Sequence, residues 1–160
     1  FWVCKRTPAA VAEALEVLGG NGYVEESGLP RLYRQAPLNS IWEGSGNVQA
    51  LDVLRTLRRD PDSADAFLAE AAAAAGADRR LDDAARALKE LLREPIEGQA
   101  RRVVERMALV LQGALLVRYA PAAVADAFCG SRLAGDHGHA FGTLPAGADT
   151  AALVDRAAPR

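Results

Sequence analysis

One glutamate in a glycine-rich stretch of the chain has neighbours that suit acid or base chemistry. Glu43 follows Ile41 and Trp42 and precedes Gly44. A carboxylate beside a large aromatic ring in a tight loop is placed for partial burial, and burial raises a carboxyl pKa because it disfavours the charged form. We therefore expect Glu43 to be partly buried and to act as a general base or acid near neutral pH. Spacing alone also allows a plain surface pair of glutamate and tryptophan.

Glycines on both sides of this glutamate are typical of phosphate-binding turns. Gly19, Gly20 and Gly22 form one cluster, and the Gly-Ser-Gly-Asn run at 44–47 stands where a helix is expected to start. Helix N-termini and glycine turns bind phosphate through free N–H donors and the helix dipole. The alternative is that these glycines only form tight turns. The first cluster does not follow the GxGxxG pattern after a strand, so no Rossmann dinucleotide site is predicted.

Three arginines, Arg55, Arg58 and Arg59, form a basic cluster shortly after the glutamate. Such a cluster is either a solvated helix face or a phosphate-binding patch for a cofactor or for DNA. The chain as a whole carries 19 Lys and Arg against 21 Asp and Glu, a net charge of −2. This balance excludes a strongly basic nucleic-acid-binding domain as a description of the whole chain.

The histidines and cysteines do not form a metal or thiol site by their spacing. His137 and His139 stand two residues apart without a further ligand set, so we predict no metal site. Cys4 and Cys129 are predicted to be small apolar packing residues in a reducing compartment.

The elements that must position the glutamate are predicted to be helices. The first shows a helical apolar face and ends at a glycine pair, namely Val11, Leu15 and Leu18, then Gly19 and Gly20. Thr7-Pro8 is either the first turn of this helix or a kink in a longer one. Residues 20–46 are predicted to be irregular, apart from a short helix at about 30–36.

The second half of the chain is predicted to be a series of helices of bundle length. The first is expected to start within 45–47 and to end at about Arg59. The others are expected from Ser63 to Gly76, from Asp78 to Glu94 and from Ile96 to Ala120, followed by a short helix to Leu133 and a last one capped by Asp149 or Thr150. The expected buried faces are Val48, Leu51 and Leu54 in one helix, and Leu81, Leu88, Leu91 and Leu92 in another. No stretch alternates like a strand, so the predicted class is all-α.

The longest nearly uncharged apolar run, Met107 to Val117, is about half the length of a membrane span. Without a leader pattern, we expect a cytoplasmic protein with no membrane partner. Because the chain opens on Phe-Trp-Val-Cys without a cap, we interpret it as a C-terminal fragment of a longer protein.

The string from Leu18 to Gln49 resembles the C-terminal helical domain of the acyl-CoA dehydrogenases. The elements that match are a glycine pair and Gly-Tyr after a helix, an arginine-rich turn, and an aromatic-Glu-Gly-Ser motif followed by glutamine: Gly19, Gly20, Gly22, Tyr23, Arg31, Arg34, Trp42, Glu43, Gly44, Ser45 and Gln49. The strong match covers about residues 1–58. The residues around the glutamate and the helical region that follows them resemble the AidB-like branch of the family, which is associated with the DNA alkylation response.

This resemblance implies a fold of the family's four-helix-bundle type, with residues 1–60 in the C-terminal domain and 61–160 as a helical extension. It implies α,β-dehydrogenation of an acyl-CoA thioester with FAD, in which Glu43 is the base. It also implies that Gly20, Ser45 and Asn47 contact the cofactor. Glu16 departs from the glutamine that the family usually has at this position, and its carboxylate would repel a cofactor phosphate.

The resemblance further implies a homo-oligomer, with a tetramer expected, and an isolated fragment that is inactive. The alternative function is a DNA-binding flavoprotein of the alkylation response with little metabolic dehydrogenase activity. Double-stranded DNA would then be the partner, and Arg55, Arg58 and Arg59 are the candidate contacts. Arg55 has a competing explanation, because it can pair with Asp52 or a flavin phosphate.

Overall fold

The computed structural model describes residues 1–159, in which every regular element is helical and none is a strand. The α-helices are α1 (Trp2–Val17), α2 (Gly20–Tyr23), α3 (Leu29–Gln35), α4 (Gly46–Arg59), α5 (Pro61–Ala72), α6 (Arg79–Arg93), α7 (Ala100–Tyr119), α8 (Ala122–Phe128) and α9 (Thr150–Ala157). Short 3-10 turns cover Glu25–Ser27, Ala36–Ser40 and Glu97–Gln99, and a π-helical turn covers Cys129–Leu133. The predicted all-α class is confirmed.

The described residues form two compact units. The first consists of Phe1–Arg55 and Ile96–Glu105, and the second of Thr56–Pro95 and the chain from Arg106 onward. The domain boundary expected after residue 60 comes from the family resemblance and stays a prediction. Within the part of the chain that the structure describes, no helix has the length and apolar character of a membrane span.

Helix α1 begins earlier than its apolar face indicates and runs through Pro8. The Thr7 hydroxyl donates a hydrogen bond of 2.8 Å to the carbonyl of Val3, one turn back. Thr7-Pro8 is therefore inside a helix and is not its first turn. The predicted glycine stop is confirmed, since Gly19 follows the last turn with φ +56°, a region that side chains rarely adopt.

The segment between α1 and α4 is more regular than predicted. The short helix expected at about 30–36 is confirmed as α3, but α2 and two 3-10 turns replace most of the expected irregular chain. Turns of three to five residues leave no apolar period to detect, so the sequence pattern could not show them.

Helix α4 has the predicted limits, and its predicted buried face is confirmed at Leu54 but not at Val48. It begins at Gly46, ends at Arg59 and buries Gly46, Ala50 and Leu54. Val48, predicted to be buried, is 53% exposed. The buried positions are spaced by four and therefore lie on one face of the helix, with glycine and alanine beside a single large side chain, Leu54.

Helix α5 is capped and ended differently from the prediction. Asp60 occupies the N-cap position and Pro61 the first turn, while Ser63 lies inside the helix and its hydroxyl donates to the Asp60 carboxylate. The helix stops at Ala72, four residues before Gly76. Pro61 explains the start, because proline fits the first helical turn.

The core of the second unit is formed by α6 and α7 together with alanines at the end of α5 and just after it. The buried members are Ala71, Ala74, Leu81, Ala84, Leu88, Val110 and Ala114. Two of the four leucines predicted for the α6 face are fully buried, Leu81 and Leu88, and the other two are half-buried. Gly113 of α7 lets this core close, since an added Cβ would meet the Leu133 side chain at 2.9 Å.

A charged network fixes the start of α6. The Asp78 carboxylate accepts the backbone N–H of Arg80 at 2.8 Å, as a helix N-cap, and a 2.6 Å bond from the Arg80 guanidinium. The same guanidinium reaches Asp126 of α8 at 2.8 Å. The hydrogen bond from Arg80 lowers the pKa of Asp78. Cys129 is buried, as predicted. Its pKa is raised to about 11, mainly because burial disfavours the thiolate and to a smaller extent because the Asp78 carboxylate is nearby.

Asp78→Ala should lower the free energy of unfolding by about 2–3 kcal/mol at pH 7, because it removes an N-cap and charge-assisted hydrogen bonds. The folded-state pKa of Asp78 lies below its ordinary value, so this contribution is present at neutral pH and is lost as the pH falls below about 4. Urea unfolding at several pH values measures both effects. Asp83→Ala is the control, because the exposed Asp83–Arg86 pair should be nearly neutral. Equal losses in the two variants would contradict the prediction.

Candidate functional site

Glu43 lies in a backbone conformation that is unusual for its residue type. Its φ is +54°, and it is the one non-glycine residue with positive φ among residues 1–159. Gly44 follows with φ +114°. A non-glycine residue in this region costs on the order of 1–3 kcal/mol and is kept only where its surroundings fix it. The residue singled out for chemistry therefore stands at the strained point of its loop.

The loop is tied to the helix that follows it. The Gln49 amide donates a 3.0 Å hydrogen bond from Nε2 to the Gly44 carbonyl, one turn into α4. Before the glutamate, the backbone N–H groups of Ile41 and Trp42 both donate to the Leu38 carbonyl, at 2.9 and 3.3 Å. These bonds hold both ends of the turn, so the position of Glu43 is set by the backbone.

The described chain does not bury this carboxylate. Glu43 is exposed, and its neighbours Ile41 and Trp42 are 64% and 59% exposed. The expected burial is therefore wrong for residues 1–159 taken by themselves. The Glu43 carboxylate has protein on one side only, so it would be buried only if another protein or ligand surface covered the other side.

The start of α4 combines several groups that attract an anion. Ser45 and Asn47 are exposed in its first turn, where backbone N–H groups have no helical partner. Gly46 between them is buried, and an added Cβ would lie 2.9 Å from the Lys5 ammonium nitrogen. Lys5 thus places a positive charge beside the positive end of the helix dipole.

Lys5 is a site residue that the sequence did not indicate. It stands 41 positions before Gly46, and no local spacing connects the two. Gly20, the third predicted cofactor contact, is exposed, and an added Cβ there would meet nothing within 4 Å. Glu16 is exposed as well.

An apolar groove lies beside the Glu43 loop within the first unit. It has a volume of about 410 Å³, and its lining includes Val11 from α1, Leu32 from α3, and Leu38 and Trp42 from the loop region. Grooves of this size and lining accept apolar groups. The aromatic residue before the glutamate therefore belongs to an apolar surface.

The three arginines predicted to contact DNA differ in their surroundings. Arg55 forms an ion pair with Asp52, which confirms one of the partners left open for it. Arg58 donates a 3.1 Å bond to the Pro95 carbonyl, and Arg59 is exposed at the end of α4. DNA contact by these residues stays a prediction.

The histidine pair lies in the loop between the π-helical turn and α9. His137 and His139 are both exposed. Across residues 1–159, no group of three or more potential ligands is arranged to hold a metal ion.

Comparisons with known proteins match the part of the chain that carries the Glu43 loop. Residues 1–58 match the family described as acyl-CoA dehydrogenase, C-terminal domain. The chain is 47% identical over 129 residues to the putative acyl-CoA dehydrogenase AidB of Escherichia coli (strain K12), covering 81% of this chain and 24% of that protein. It is 51% identical over 51 residues to acyl-CoA dehydrogenase family member 11 of Caenorhabditis elegans, covering 32% of this chain and 8% of the relative.

A third relative is the probable acyl-CoA dehydrogenase YngJ of Bacillus subtilis (strain 168), 40% identical over 48 residues, with 30% of this chain and 13% of the relative covered. The chain spans about a quarter of the length of the AidB relative and less of the other two. The helical fold, the motif around Glu43 and these matches agree. The chain belongs to the acyl-CoA dehydrogenase family and contains part of its C-terminal domain.

Proposed function

We propose that this chain contributes the catalytic base and part of the cofactor site of a FAD-dependent oxidoreductase that introduces an α,β double bond into an acyl-CoA thioester. The observation that carries the proposal is the Glu43 loop, in which an exposed carboxylate extends from a strained backbone position just before α4. Family membership supports the reaction class.

Glu43 acts in this proposal as the acceptor of the substrate's α-proton. Such a proton is too weakly acidic for a carboxylate in water, so the base must lose part of its hydration when substrate binds. The exposed side chains of Ile41 and Trp42 beside Glu43 offer apolar surface for that purpose. The Gln49 bond to Gly44 holds the backbone beside Glu43, so that the carboxylate extends from a fixed point of the loop.

The start of α4 fits a phosphate-bearing cofactor such as FAD. The buried Gly46 leaves room for the Lys5 side chain, and unpaired N–H groups and a cation converge there. Ser45 and Asn47 would hold the cofactor beside these groups, with Gly20 as a further contact. When bound, the flavin supplies a two-electron acceptor for the substrate's β-hydride. The carboxylate of Glu16 would repel a phosphate, so we assign it no contact.

The uncovered apolar surface of the first unit favours assembly with further protein. Val3, Val17 and Tyr23 are 70%, 82% and 78% exposed, and α1 buries no residue fully. Large exposed apolar surfaces mark protein interfaces. We assign this surface to contacts with other domains and with copies in a homo-oligomer, a tetramer in a cytoplasmic protein.

The proposed reaction is tested with the complete gene product that carries these 160 residues. The protein is mixed anaerobically with acyl-CoA thioesters of several chain lengths. The absorbance of its oxidised flavin should then disappear. Coenzyme A alone is the control and should leave the spectrum unchanged. A flavoprotein that no acyl-CoA reduces would overturn the dehydrogenase proposal. If that protein bound duplex DNA with strong salt dependence, the alternative function would replace it.

A further inference from the structure

The second unit contains an apolar cavity that the proposed dehydrogenation does not use. It lies between α5 and α6, has a volume of about 220 Å³, and also touches α7 through Val110. Its floor is Leu81, Leu88 and Val110, all at most 1% exposed. The floor is therefore part of the folded core, and the space above it has a fixed boundary.

Small side chains create this space. Ala71, Ala72, Ala75 and Ala85 line the cavity where larger apolar residues would fill it. Folded interiors are close-packed, with few voids larger than a water molecule. An apolar ligand would restore the packing contacts that these alanines leave unmade.

The charged residues of the lining favour an anion. Asp82 is engaged, because its carboxylate accepts the Gly76 N–H at 3.1 and 3.3 Å. Arg86 carries one partner, a 2.8 Å bond to Asp83. Lys89 is exposed one turn after Ala85 and makes no ion pair with the residues described. Asp82 and Arg86 each have a partner already, so Lys89 is the lining charge that is placed to meet an anion beside the apolar space.

We propose that this cavity binds a small aliphatic carboxylate, with the alkyl chain over Leu81 and Leu88 and the carboxylate at Lys89 and Arg86. A dry cavity of about 150 Å³ is large enough for benzene. The volume of about 220 Å³ in this protein exceeds that of the benzene-binding cavity and suits an alkyl chain of about six to eight carbons. All the residues that line the cavity belong to the second unit, whereas the Glu43 loop belongs to the first.

Calorimetric titration of the full chain with sodium octanoate tests the cavity. Octanoate should bind saturably and about fifteenfold more tightly than hexanoate, since each added methylene contributes about fourfold. Ala85→Leu fills the cavity with a larger side chain and so displaces part of the bound alkyl chain. Loss of about two buried methylenes should weaken octanoate binding about tenfold or more. Ala87→Leu adds the same side chain on the exposed side of α6 and should leave binding unchanged.

The carboxylate contact is tested separately with octan-1-ol, which has the chain without the charge. Lys89→Gln should weaken octanoate binding about fivefold and leave octanol binding unchanged. Arg93→Gln, one turn further along α6, is the matched control and should change neither.

Three results would overturn the proposal: no saturable octanoate binding, equal binding by Ala85→Leu and Ala87→Leu, or no effect of Lys89→Gln. Circular dichroism checks that each variant folds. If Ala85→Leu does not fold, Ala72→Leu at the exposed mouth replaces it and should weaken binding in the same direction.

Discussion

Glu43→Gln should slow the reduction of bound flavin by acyl-CoA about 10²- to 10⁴-fold, the usual contribution of a positioned general base. Glutamine has nearly the same size and keeps the backbone of the loop, including the Gln49 bond to Gly44. Its amide cannot accept the α-proton. If Glu43 is the base, as proposed, the change therefore removes proton transfer while the shape of the loop is kept.

Stopped-flow measurement of flavin absorbance in the complete gene product gives the rate. Glu26→Gln is a matched control, because Glu26 is an exposed glutamate in the same unit, on the 3-10 turn Glu25–Ser27. Both variants should retain flavin and bind the substrate. Reduction at the wild-type rate by Glu43→Gln would show that another group takes the proton.

Local signals were sufficient to predict the helices that carry their own start and stop residues. Helix α4 has its predicted end before Asp60-Pro61, and α6 has the predicted N-cap at Asp78. Asp149 likewise caps α9 and accepts the Ala152 N–H at 2.9 Å. In each case the decisive residue lies within a few positions of the helix end, so the sequence shows it directly.

Features that depend on distant residues could not be predicted from spacing. Lys5 reaches Gly46 across 41 positions, and Val48 is exposed because Gly46 and Ala50 join the predicted Leu54 on the buried face of α4. The role proposed for Glu43 rests on the family motif, whereas its positive φ followed only from the folded loop. Its exposure depends on which surfaces lie opposite the loop, and no property of residues 41–45 specifies them.

Gly22→Ala should destabilise the first unit by about 3 kcal/mol, because a methyl group at this position has no space. Gly22 is buried in α2, and an added Cβ would lie 2.9 Å from the Leu15 carbonyl carbon and closer still to its oxygen. The obstacle is the backbone of α1, which cannot rotate away as a side chain would. The clash can be removed only if α2 moves away from the end of α1, which also displaces the Gly-Tyr element that the family motif contains.

Urea unfolding followed by tryptophan fluorescence measures this effect in the right unit, since both tryptophans of the chain, Trp2 and Trp42, lie in the first unit. Gly20→Ala is the matched control in the same turn, because its Cβ would meet nothing within 4 Å and its φ is not positive. That variant should unfold within about 0.5 kcal/mol of wild type, as expected for a surface change. If the two variants unfolded at the same urea concentration, the close packing of Gly22 against Leu15 would not explain why glycine stands at this position. The glycine of the motif would then have to serve a contact other than this one.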